Sequence, residues 1–184
     1  MHRQLRDDAV NPSPFSRREP IRPTLVQRLL RREPPHNALV ALLRSFEQAD
    51  SPRDVTPARM ESIAAEFGVD PRTAFRGDLE RMYREYLVHC LVDRRLSEDE
   101  VGNLDHLRAL FRLDAATCDA IHRNVARQIY LKSVAEVLTD GTIDEHEREF
   151  LGRLRDQLAI PEAVAENIVD MKRRQFRSRN RSSG

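Results

Sequence analysis

The sequence predicts an all-α protein: tandem helix-turn-helix repeats packed as a single helical bundle. Three observations carry that expectation. Charged residues make up 33% of the 184 positions and aromatics 5%, with no Trp and six Gly. That balance suits helices better than a β-sandwich or a sheet-based nucleotide fold. From Asn37 the apolar residues recur at helical spacing, starting with Leu39, Leu42, Leu43 and Phe46, and nothing in the body alternates as a strand would. Third, the chain repeats itself after 47 residues.

The elements follow in chain order. Six of the ten prolines lie within residues 1–36, which read as an extended Pro/Arg-rich arm. A short helix over Leu25–Arg32, behind a capping box of Thr24 with Gln27, is the most order expected there. Residues 37–170 read as one helical domain, of a size that can bury an ordinary core. Its helices are expected at about 38–49, 57–67, 71–92, 98–112, 115–139, 145–158 and 162–175. Thr56-Pro57 and Asp70-Pro71 each place an N-cap residue before a proline at the first helical position. Residues 171–184 read as a basic disordered tail.

The repeat organises the domain. YREYLVHCLVDRRLSEDEVGNLDHLRALFRLDAA (83–116) lies without a gap on YLKSVAEVLTDGTIDEHEREFLGRLRDQLAIPEA (130–163). Tyr83 meets Tyr130, Leu91 meets Leu138, Asp93 meets Asp140 and Glu100 meets Glu147. Leu104, Leu107 and Arg108 meet Leu151, Leu154 and Arg155. A shorter, weaker third copy runs from Thr56. Each unit is a long helix, a tight turn and a shorter helix.

The stretch TDGTIDEHE (139–147) looks like the second half of a calcium-binding EF-hand loop. The first half does not match. If Asp140 is the fifth loop position, the first and third are Glu136 and Leu138, or His89 and Leu91 in the other copy. Leucine cannot coordinate a hard cation, so no calcium site tighter than millimolar is expected. The same letters make a structural turn. Asp140-Gly141 ends the long helix, Gly supplying a left-handed backbone. Asp144 with Glu147, and Ser97 with Glu100 behind Asp93, are capping boxes opening the next helix.

A long helix, then L-x-D-G-x-I/L-D/S-x-x-E, then L-x-x-L-x-x-x-L/F-x-I/L, resembles the TerB-like helical domains. These occur in bacterial tellurite-resistance proteins and at the N-terminus of a membrane-anchored J-domain co-chaperone. Tandem copies with a Tyr ten residues ahead of the Asp are also similar to the helical repeats of the large chloroplast inner-envelope translocon protein. The likeness covers about 83–170, extending to 56–170 with the weaker copy. It implies a fold and a binding role without catalysis. It also implies a weak divalent-metal set at Asp140, Asp144 and Glu147, with Asp93 and Glu100 a poorer second set; no other cofactor is expected.

Charge bears on partners. Residues 1–36 carry eight Arg against four acids, and residues 171–184 carry Lys172, Arg173, Arg174, Arg177, Arg179 and Arg181 with no acid. Against a total of +1, residues 37–170 therefore hold −9. The arm, with its Pro-separated apolar residues, suits a protein partner. The tail suits an anionic membrane surface or nucleic acid. No phosphate-binding glycine loop, HExxH or nucleophile elbow is present, and His89, His106, His122 and His146 lack ligand spacing. Cys90 and Cys118 read as small core residues.

The expectation is a non-enzymatic helical adaptor. The alternatives are an acidic metal-binding stress-response protein of the tellurite-resistance type and a nucleic-acid-binding accessory protein. No apolar run reaches spanning length, the first residues lack a signal-peptide core, and Asp7 and Asp8 do not suit a transit peptide. Cys90 and Cys118 form no CxxC and no framework, which suits a reducing compartment, and with the likeness to bacterial tellurite-resistance proteins the expected setting is the bacterial cytoplasm, with the inner membrane as a peripheral site.

Overall fold

The computed structural model describes residues 15, 19, 20, 22, 34–91 and 96–181. The helix expected over Leu25–Arg32 and the turn residues Asp93, Arg94 and Arg95 lie outside them. Among the described residues every regular element is helical. They are α1 (His36–Glu47), a 3-10 turn (Pro52–Asp54), α2 (Pro57–Phe67), α3 (Pro71–Ala74), α4 (Arg76–Cys90), α5 (Glu98–Phe111), α6 (Ala115–Val137), α7 (Glu145–Gln157) and α8 (Glu162–Arg181).

Local chemistry starts these helices where the sequence marks them. The Thr56 hydroxyl accepts the Arg59 N–H at 3.3 Å, and the Asp70 carboxylate accepts the Arg72 N–H at 3.0 Å. Asp114 does the same for Thr117 at 2.8 Å. Each such cap contributes about 1 kcal/mol.

Two expectations give way. The helix drawn over 71–92 is broken at Phe75, whose φ of −127° and ψ of 35° leave helical geometry. The Phe75 ring stands edge-on to His36 at 6.2 Å, and apolar spacing carries no mark of that break. At the other end the basic segment is not a loose tail: α8 continues through Arg181. Its arginines complement the negative end of the helix dipole, and Phe176 gives the segment an apolar anchor, described below.

Packing groups the chain into two compact units, residues 1–86 with 102–112 and residues 87–101 with 113–184. In the first unit, Leu39, Leu42, Met60, Ile63, Leu79 and Phe111 are fully buried. Phe46 meets Phe111 edge-on at 5.9 Å. Phe15, from the N-terminal arm, lies 4.9 Å from Phe46 and 6.3 Å from Tyr86, so this part of the arm docks on its own unit. Buried Arg72 donates to the Leu110 carbonyl at 3.0 Å, and Arg76 to the Arg112 carbonyl at 2.9 Å. Two arginines thereby satisfy carbonyls that the end of α5 leaves open. In the second unit α6 packs on both α7 and α8, around Tyr130, Val134, Leu138, Leu151, Leu154 and Ile168.

The repeat persists at backbone level. Arg112 (φ 53°) and Ala159 (φ 49°), 47 positions apart, are the two non-glycine residues with positive φ among those described. Each ends the short helix of its copy, and Leu113 and Ile160 bury themselves immediately afterwards. After α7 the Ile160 N–H reaches back to the Arg155 carbonyl at 3.0 Å, the long bond of a Schellman cap.

Candidate functional site

The α6–α7 turn holds the acids singled out in the sequence. α6 ends at Val137, and Leu138 is buried in the core with its N–H on the Val134 carbonyl at 3.0 Å. The residue at the third loop position of an EF-hand is therefore a core side chain. Glu136, at the first, faces Lys132 at 4.0 Å on the helix surface. Gly141 takes φ 89°. The Thr142 N–H donates to Asp140 Oδ1 at 2.9 Å and its hydroxyl at 3.2 Å, closing an Asx turn. These two bonds, the backbone one first, hold the Asp140 carboxyl below its usual range.

The Asp144 and Glu147 carboxylates cap reciprocally. Glu147 N–H donates to Asp144 Oδ1 and Asp144 N–H to Glu147 Oε2, both at 2.8 Å. In the first copy Ser97 N–H donates to Glu100 Oε2 at 2.7 Å, while Glu100 N–H meets the Ser97 hydroxyl at 3.3 Å. Asp93 lies outside the described residues. The acids thus face turn N–H groups, and among the described residues no three of His, Cys, Asp and Glu gather as metal ligands. His106 contacts the Val55 carbonyl through a ring nitrogen at 3.0 Å, and Cys90 and Cys118 are buried and form no disulfide.

A feature not read from the sequence sits on this turn. A Cβ built on Gly141 would lie 3.0 Å from Phe176 Cδ1 and Cζ, and nearer still to Cε1. The Phe176 ring of α8 covers the bare glycine backbone, which ties the basic end of α8 to the repeat's own motif. A lone aromatic in an arginine-rich stretch was the available signal. With Phe176 turned inward, Arg173, Arg174 and Arg177 share the exposed side of α8. Lys172 is half-buried, and the Arg181 side chain lies outside the description.

Two grooves mark the second unit. One, of about 540 Å³, lies between α6, α7 and α8 and balances its charge, with Arg148, Arg155 and Arg173 against Glu162, Glu166 and Asp170. Arg155 pairs with Asp156 at 2.8 Å and Glu162 at 3.5 Å. Burial pushes the Tyr130 phenol upward here, opposed by the Arg155 charge. The other groove, of about 650 Å³, is apolar and runs beside Leu91, Leu96, Ala126, Ile160 and Val164. None of its residues had stood out in the sequence as functional, because they come from four separate segments. Neither groove assembles a nucleophile, a base and an electrophile-stabilising group.

The sequence model of the Tic110 family, described as a chloroplast envelope transporter, matches residues 72–179. Among curated proteins the chain is similar to Protein TIC110, chloroplastic, of Pisum sativum, at 25% identity over 108 residues, 58% of this chain and 10% of that protein. It is 31% identical over 70 residues to Protein TIC110, chloroplastic, of Arabidopsis thaliana, 38% of this chain and 7% of that protein. The chain thus spans a tenth or less of the length of these curated relatives. No solved structure shows a significant match. These matches are to chloroplast proteins of plants, and they overturn the expectation of a bacterial, cytoplasmic protein. That expectation rested on the bacterial TerB-like branch of the resemblance, on two cysteines without a pattern and on an N-terminus without targeting signals, none of which fixes the compartment of a stretch aligned to so small a share of its relatives. Within the resemblance stated earlier, the chloroplast translocon branch is the one matched.

Proposed function

The chain belongs to the Tic110 family of chloroplast envelope transporters, and from that premise we propose that it is a non-enzymatic helical scaffold module in envelope protein transport, binding a protein partner. The observation that carries the reading is the extent of the match, 72–179, which takes in both repeat copies and most of α8. The physical properties agree with it. A repeat of helices joined by capped turns makes a rigid frame whose outward faces can vary while its core is kept. Both grooves lack the convergent polar groups that catalysis needs. Among the described residues no helix is long and apolar enough to cross a membrane. The metal-binding alternative has no geometric support, because the turn acids are committed to caps.

The test is contact mapping. A photo-crosslinking residue is placed at Val88 or Val101, the large apolar side chains that stand 45% and 44% exposed. The chain is then irradiated within isolated chloroplast envelopes. Adducts with proteins in transit, or with neighbouring transport components, are expected. A chain that yields no protein adduct from either position overturns the reading.

A further inference from the structure

The apolar groove of the second unit has a chemistry of its own. Its floor is built from Leu91 and Leu96, the α6 residue Ala126, and Ile160 and Val164. Its rim carries His122, Arg123 and Arg127. Among the described residues no carboxylate lines it, in a chain with 30 Asp and Glu and a segment over 37–170 that is net negative. The arginines of α7 are paired: Arg148 with Glu145, Arg153 with Glu149, Arg155 with Asp156 and Glu162. Arg123 and Arg127 are different. Both are exposed, and among the described residues neither guanidinium has a carboxylate partner. Burial holds the His122 ring below its usual value, so the rim's charge at neutral pH is that of the two arginines.

Arg123 and Arg127 are one helical turn apart, about 6 Å along α6. That spacing matches two carboxylates at i and i+4 on a facing helix, and guanidinium forks suit carboxylates. A groove of about 650 Å³ holds the three or four apolar side chains that one face of an amphipathic helix inserts. From this combination we infer that the groove is a docking site for an acidic amphipathic helix of a partner protein, its apolar face on Leu91, Leu96 and Val164 and its acids on Arg123 and Arg127. The occupant is set by charge complementarity: a basic segment would meet two uncompensated cations at the rim. The inference rests on the scaffold reading for the partner being a protein.

The test uses the full chain and a fluorescein-labelled synthetic helix with leucines along one face and two glutamates four residues apart. Anisotropy titration should show saturable binding. The charge-reversed variant R123E/R127E should weaken it at least ~tenfold and should bind the matching peptide with lysines in place of the glutamates. Both positions are exposed, and unchanged far-ultraviolet dichroism confirms the fold. Absence of binding, or binding indifferent to the reversal, overturns the inference. So does equal binding of a peptide with its leucines replaced by serine, which would place the attraction on the arginines of α8. Palmitate binding with the same arginine dependence, while the peptide fails, would give the groove to an anionic acyl chain and overturn it as well. Crosslinks from Val88 or Val101 without peptide binding would sink the groove alone; peptide binding without crosslinks would sink the scaffold reading alone.

Discussion

Replacing Gly141 by alanine perturbs two things that a double-mutant cycle can separate. The first is backbone strain: at φ 89° an L side chain costs about 1–2 kcal/mol. The second is the seat of Phe176. A Cβ there would lie 3.0 Å or closer to three ring carbons, well inside van der Waals contact, so the ring must move off the turn. Phe176 is half-buried, and losing its packing should cost about 1 kcal/mol, roughly half the value of a fully buried large side chain. Gly141→Ala is therefore expected to destabilise by about 2–3 kcal/mol and Phe176→Ala by about 1 kcal/mol. In the double variant the ring is already gone, and only strain is added. The two losses should then fall short of additivity by about 1 kcal/mol, measurable by urea denaturation followed by circular dichroism. Additivity within about 0.5 kcal/mol would refute the claim that α8 is pinned to the α6–α7 turn through this ring.

The remaining predictions concern the same turns. Asp144→Ala should cost about 0.5–2 kcal/mol through loss of its cap, equally with and without a chelator; a loss that disappears in chelator would make the residue a metal ligand. Ala159→Gly should stabilise the chain by about 0.5–1 kcal/mol, since relief of left-handed strain exceeds glycine's added unfolded-state entropy, and a lower melting temperature would contradict the backbone seen there. Asp140 should titrate below an unstructured aspartate in carboxyl NMR. Its folded pKa is depressed, so its contribution to stability is fully present above the unfolded pKa and is lost as pH falls through the folded one. Thr142→Val should return only part of the shift, because the backbone N–H is the larger cause; a full return would assign the effect to the hydroxyl.

What the sequence determined by itself is what short-range physics controls. Helix starts at Thr56, Asp70 and Asp144 were legible, because a cap is made within three residues of itself. The 47-residue repeat was legible because matching core positions such as Leu107 and Leu154 need matching side chains, and both are buried. The half-EF-hand letters resolved into a turn for the same reason: Leu138 could only be core.

Tertiary structure decided the rest, wherever the deciding contact is distant in sequence. Whether 171–181 is tail or helix depended on Phe176 finding Gly141, 35 positions away, and composition alone favoured a tail. The break at Phe75 and the reach of Arg72 and Arg76 to carbonyls at the end of α5 leave no periodic trace. The apolar groove was invisible for a geometric reason: its floor is assembled from Leu91, Leu96, Ala126, Ile160 and Val164, each of which reads along the chain as ordinary core. Arg123 and Arg127 likewise read as two among many solvent arginines. Only the fold shows that they stand at the rim of a surface where, among the described residues, no carboxylate pairs with them or lines the groove, because electrostatic compensation is a property of neighbours in space.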